Sequence, residues 1–298
     1  MHLWIGSYLR RARRMPPPGR ITHVHFAFCD HYEPYWRKAD TTTARQRVQR
    51  WLDEYPALAR RFEDADGCHP KHSFFYPEEE YRPEFLDMIG SLCRSGFGEV
   101  EVHLHHDNDT SDGLRAKLRR FVAELHGRHG MLPVHEGRPR FGFIHGNWAL
   151  DNSRGDGHWC GVNDELHVLA QEGCYADFTL PSAPNDTQTR TVNSIYYAVD
   201  DHGAPKSHDR GVELEAGRSG SGDLLIFQGP LALNWKRRKF GLWPRIENAD
   251  IEPHDIPVSQ RVALWLRQWV HVKGRPEWVF IKVHTHGAHE RNANWILG

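Results

Sequence analysis

From Ile21 onward the apolar residues switch repeatedly between a period of two and a period near 3.6. "ITHVHFAFCD" (21–30) alternates as a strand. Val48, Trp51, Leu52, Tyr55 and Leu58 then recur at helical spacing over 43–63. "KHSFFYP" (71–77) predicts a second strand, and Pro83 opens a helix whose apolar face is Phe85, Met88, Ile89 and Leu92. "EVEVHLHHDNDT" (99–110) begins as a third strand, and Leu114, Leu118, Phe121, Val122 and Leu125 mark the next helix. The pattern continues through a strand at 139–148, a helix at 162–172, strands at 174–182 and 223–230, a helix on Val262, Trp265, Leu266 and Trp269, and a strand at 277–287. Residues 200–222, rich in Gly, Asp, Ser and His, read as an excursion loop. The last strand shows no closing helix in its pattern, so the chain reads as a piece of something longer.

Strands that alternate with helices predict a parallel sheet, and about seven such units in one chain predict a β/α barrel. The polar residues then fall in a telling place. Asp30, His31, the 103–109 cluster, His145, Asp177 and His284 all lie near the C-terminal ends of their strands. In a barrel those ends meet at one mouth, where active sites lie. His23 and His25 precede further strand residues and so belong towards the opposite end.

The densest chemistry is "HLHHDND" (103–109), with three histidines and two aspartates. Burying such groups is costly unless they are paired or bind an ion, and neutral imidazole is the commonest metal ligand. Strand alternation lets His103 and His105 share a face. The chain holds 22 histidines and 11 tryptophans, and its flat aromatic side chains offer stacking surfaces.

Composition narrows the function classes. With 39% hydrophobic and 26% charged residues over 298 positions the chain can bury a core. A net charge of −1 gives no support for a nucleic-acid partner. Five scattered cysteines without a C-x-x-C pair indicate neither a disulfide framework nor a zinc knuckle. Residues 1–20 read as a basic, Pro-rich, solvated leader before a single domain over 21–298. Its arginines follow its apolar start, the reverse of a cleavable signal peptide. A cytoplasmic protein is expected, whose leader could touch an anionic membrane face. "LNWKRRKFG" (233–241) reads as a solvated helix face or loop.

Asp30, "HSFFYP", "GEVEVHLHHDND" and "FIKVH" together resemble the polysaccharide deacetylase (NodB-homology, carbohydrate esterase family 4-like) superfamily over residues 21–287. The resemblance implies a distorted (β/α)7 barrel, one divalent metal, usually zinc, and hydrolysis of the N-acetyl amide of a sugar or polysaccharide. It casts Asp30 as the catalytic base, or as a ligand, and His284 as the general acid, with His286 as its alternative. His31, His103, His105 and Asp107 would hold the metal, and the set stays open among these and His106. His145, Asn147, Trp148 and Asp177 would line the substrate site. Asp107 stands where the family has its second histidine, and His145 where it has an arginine. Those departures give two competing readings: a catalytically silent carbohydrate-binding barrel, and a metal-dependent hydrolase of another small amide or an ester.

Overall fold

The computed structural model describes residues 3–14 and 21–298. Among the described residues there are thirteen strands and seven α-helices; the expected alternation breaks after residue 177, where five strands over 195–247 follow with no α-helix between them. Helix α1 (Trp4–Arg14) precedes strand β1 (His23–His31), and α2 (Thr41–Ala59) leads to β2 (His72–Pro77). Then come α3 (Pro83–Arg94), β3 (Gly98–Leu104), α4 (Ser111–Ala123), a small hairpin of β4 (Val134–His135) and β5 (Arg138–Pro139), and β6 (Phe141–His145). Helix α5 (Glu165–Glu172) and β7 (Cys174–Asp177) precede β8 (Ile195–Ala198), β9 (Val212–Glu213) and β10 (Leu224–Phe227). The chain continues through β11 (Ala232–Lys239), β12 (Trp243–Glu247), α6 (Ser259–Leu266), β13 (Trp278–Thr285) and α7 (Glu290–Ile296).

Nine strands form one sheet in the order β13-β1-β2-β3-β6-β7-β10-β8-β9. The first seven in that order are mutually parallel, and β8 and β9 add an antiparallel edge. The sheet is strongly curled. Phe280 on β13 stacks its edge on Phe227 of β10, ring centroids 5.5 Å apart, although five strands separate them in the order. Lys282 on β13 reaches the carbonyl oxygens of Phe178 and Leu180 beyond β7. Among the described residues no ladder joins β13 to β9, so the hydrogen bonding does not close into a ring.

Period-two alternation sorts the sheet's side chains. Phe74, Tyr76, Val102, Phe141 and Phe143 join the main core against Trp51, Phe85, Ile89, Leu118 and Leu166 of the helices. Their neighbours Cys29, Phe75 and Ile144 pack on the other, concave face with Ala27 and Phe178. Helix α2 illustrates the local logic. The Asp40 side chain accepts from Thr43 N at 2.8 Å at its start, and Val48, Trp51, Tyr55 and Ala59 bury one stripe.

Three expectations need correction. The leader is not a detached solvated segment where it is described: α1 buries Trp4 against Ala183, Val192 and Leu231, because Trp4, Ile5 and Tyr8 make one apolar face. The rest of the leader, 1–2 and 15–20, lies outside the described residues. Residues 233–241 are not a helix face but most of a β-hairpin. A bulge there is held by Asn234 Oδ1, which accepts from the backbone N–H groups of Lys236 and Arg237. Helix α7 follows β13, unforeseen because only Ala293 and Asn292 are buried on it. No helix among the described residues is long and apolar enough to cross a membrane.

Candidate metal centre

The concave face carries imidazoles to the C-terminal ends of β1, β3 and β13. His31 ends β1; its ring lies 5.1 Å from that of His103, 4.9 Å from His286 and 6.3 Å from His284 (centroid distances). His103 and His105 follow one another on the same side, ring centroids 4.5 Å apart. Glu33, two residues past His31, sits among them. Its Oε1 is 3.4 Å from His103 Nε2 and 3.8 Å from His105 Nε2. Two triads of ligand atoms result, His31–Glu33–His286 and Glu33–His103–His105, each with its atoms within 4.8 Å of one another. These buried His/Glu groups can hold a metal ion.

The hydrogen bonds of the rings fit that role. His103 Nδ1 faces Ile144 O at 2.8 Å, and against a carbonyl it must carry the proton. Nε2 is buried, lies 3.4 Å from Glu33 Oε1 and has no hydrogen-bond partner; in the neutral ring it carries the lone pair. A ligand histidine is ordinarily tied back in this way through its other nitrogen. His105 Nδ1 is tied to Glu79 on the turn after β2, leaving its Nε2 towards Glu33. Gly146 permits this placement, since a Cβ there would lie 2.1 Å from His105 Cδ2. Arg47 of α2 holds the segment behind Glu33 by donating to Pro34 O at 2.7 Å and Trp36 O at 3.1 Å.

Electrostatics separate the roles. Burial holds His31 and His284 well below the usual imidazole pKa, with His286 adding to it for His31 and Lys282 for His284, so both rings are neutral donors of a lone pair. Burial alone would raise Glu33, but His103, His286 and His105 outweigh it and leave it lowered, hence ionised. Burial would likewise lower His105, yet Glu79 prevails and raises it. A pocket of about 420 Å³ opens over the centre, bordered by His31, Glu33, Trp36, His105, Asn147, Trp148 and His286. Asn147 and Trp148 both adopt left-handed backbone, φ 54° and 55°, a costly conformation for a bulky residue that is found concentrated at functional sites.

The sequence-predicted residues therefore divide. His31, His103 and His105 converge, and His284 joins them on the concave face. Asn147 and Trp148 border the pocket as expected. Asp30 does not reach the centre: β1 runs on through His31, so adjacent Asp30 turns to the helix side. There its carboxylate meets His72 Nε2 at 2.7 Å and accepts from Gly287 N. Asp107 is exposed and belongs to neither triad, because the chain leaves the strand at Leu104. His145 shares the parity of Phe141 and Phe143 and points among the helices, where it gathers with His106 and Glu165. Asp177 is wholly buried; it accepts from Thr179 N and Oγ1, and Thr179 Oγ1 accepts from His145 N. It supports the backbone and does not border the pocket.

Sequence reading missed Glu33 and Glu79 as site residues. A period-two count from His31 would have reached Glu33; Glu79, on a turn of three consecutive glutamates, gives no such signal. No protein-family model matches the chain, and no curated protein matches it.

Proposed function

We propose that this chain is a metal-dependent hydrolase of a non-peptide amide, its substrate an N-acetylated sugar or glycan and its ion zinc. The curled sheet would be the distorted seven-stranded barrel of the polysaccharide deacetylases. The supporting observation is His103, with Nδ1 tied to a carbonyl and a buried, partnerless Nε2 aimed at Glu33. Imidazole and carboxylate donors together suit zinc.

His31, Glu33, His103, His105 and His286 would supply the ligands. A divalent ion there contributes Lewis acidity, polarising a carbonyl and making water nucleophilic near neutral pH. The protein's own groups do the rest. Glu79 fixes the His105 ring and its proton. Trp36 and Trp148 flank the pocket as stacking faces for a sugar ring, and Asn147 offers an amide to a hydroxyl or carbonyl. With Asp30 committed to His72 and Gly287, the carboxylates that border the pocket are Glu33 and Glu252. His284, beside His31 on the concave face, would donate to the leaving amine after taking up the proton that the attacking water gives up.

The placement of Asp30 also favours a second reading, a silent carbohydrate-binding barrel, since the residue cast as base is turned away. One experiment separates them. Acetate release from N-acetyl and O-acetyl sugars is followed with and without a chelator, in wild type and His103→Ala. Metal-dependent release lost in the variant supports the hydrolase. Sugar binding without release, unchanged by chelation, supports the silent barrel.

A further inference from the structure

A second cluster lies behind the sheet, and it is independent of the reading above. His106 just past β3, His145 at the end of β6 and Glu165 at the start of α5 bring three ligand atoms within 4.8 Å of one another. All three side chains have no exposed surface. Glu165 Oε1 is 3.0 Å from His106 Nε2 and 3.5 Å from His145 Nε2. Ligands about 2.0–2.1 Å from a tetrahedral zinc stand roughly 3.4 Å apart, so the spacing is that of an ion's coordination edge.

The proton positions sharpen this. His145 Nδ1 faces Gly146 O at 2.6 Å and must donate, which leaves Nε2 with its lone pair. That nitrogen is buried, partnerless and directed at a carboxylate oxygen. A lone pair facing an anion in a dry pocket is repulsive unless a positive charge lies between them. His106 is backed by Asp109, 2.9 Å from its Nδ1, and Asp109 is held in turn by Lys117 at 2.6 Å. Carboxylate, imidazole and ion in line is the arrangement that orients a ligand histidine. Glu165 Oε2 accepts from Asp151 N at 2.6 Å, so its other oxygen is fixed towards the two rings. Gly161 allows the chain to close over the cluster; a Cβ there would sit 2.0 Å from His106 Cε1.

We infer that His106, His145 and Glu165 form a second, closed site for a zinc-class divalent cation, one that fastens the segment after β3 to β6 and α5. That segment also carries His105 and directly follows His103, so the buried ion would stiffen the mouth from behind. It takes no part in the chemistry.

The test uses the full chain, stripped by chelator and reloaded with zinc. Three forms are compared: wild type, His103→Ala/His105→Ala, and that double variant with Glu165→Gln added. Bound zinc is counted by mass spectrometry and located by anomalous scattering. The double variant should keep one equivalent, with its peak between His106 Nε2, His145 Nε2 and Glu165 Oε1. Adding Glu165→Gln should weaken that zinc by on the order of 100-fold. If the triple variant fails to fold, the double variant decides alone. No bound zinc in it, a peak elsewhere, or zinc retained after Glu165→Gln would overturn the site. In the first of these cases a doubly protonated His106 bridging Asp109 and Glu165 takes the ion's place. Zinc at this site with none at the mouth would sink the hydrolase reading and leave this one standing.

Discussion

Asp30 and His31 are consecutive in β1 and serve opposite sides of the sheet. Asp30 is locked to His72 Nε2 at 2.7 Å beside Trp51, while His31 faces the imidazoles of His103 and His286. The pair makes a sharp distinction between holding the fold and holding an ion. Asp30→Asn keeps the shape but loses a charge-assisted bond in a dry layer, at a cost of about 1–3 kcal/mol. We expect a lower unfolding temperature with zinc still bound, since the carboxylate faces the opposite side of the sheet from the ligand rings. Calorimetry and a zinc titration of the same preparation check both halves.

Glu33 and Glu79 should show the opposite profile. Glu33→Gln removes an anionic donor shared by both triads and should weaken metal binding at least on the order of 100-fold. Glu79→Gln frees the His105 ring without removing a ligand and should cost about 10–100-fold. Competition titration against a chromophoric chelator measures both. Equal effects would mean that Glu79 itself is a ligand.

Gly146 stands against the His105 ring, and its replacement tests how tightly that ring must be held. Gly146→Ala would place a Cβ 2.1 Å from Cδ2, so the ring must move. Placement errors of an ångström matter in preorganised sites. Metal affinity should fall by roughly tenfold or more, with the far-UV spectrum unchanged. Unaltered affinity would show that His105 is not a ligand.

Much of the architecture is legible because strand and helix periods are written plainly in this chain. Phe74/Phe75 and Phe143/Ile144 announce strands with two apolar faces, and the order of parallel units follows. The site was harder for a single reason: face assignment depends on where each strand stops. Ending β1 at Cys29 makes Asp30 and His31 equivalent neighbours at a rim; ending it at His31 separates them. The same parity count from Phe141 sends His145 behind the sheet. Glu79 is brought in by a turn, which periodicity does not describe. The hairpin has no one-sided alternation to detect, because Trp235, Lys236, Arg238 and Lys239 are all exposed.

Glu101 offers a pH test inside the curl, away from the solvent. Burial pushes its carboxyl up to about 8, although the bonds it accepts from Tyr175 Oη and Gly142 N pull the other way. Unfolded, it titrates near 4.3. Between those values the folded state keeps a proton that the unfolded state has lost, so this residue's contribution to stability falls as pH rises from about 4.5 to 8. Glu101→Gln removes the dependence. At pH 8 the variant should melt a few degrees higher than wild type, at about 2–4 °C per kcal/mol, with the gap shrinking towards pH 5. Parallel melting curves across that range would refute the assignment.

The most direct measurement is a crystal of the zinc-loaded protein with diffraction recorded on either side of the zinc edge. A strong anomalous peak should stand among His103 Nε2, Glu33 and the rings of His31, His105 and His286, at bonding distance from at least three of them. Zinc-saturated crystals with no peak at the C-terminal ends of β1, β3 and β13 would contradict the metal centre, and the proposed hydrolase with it.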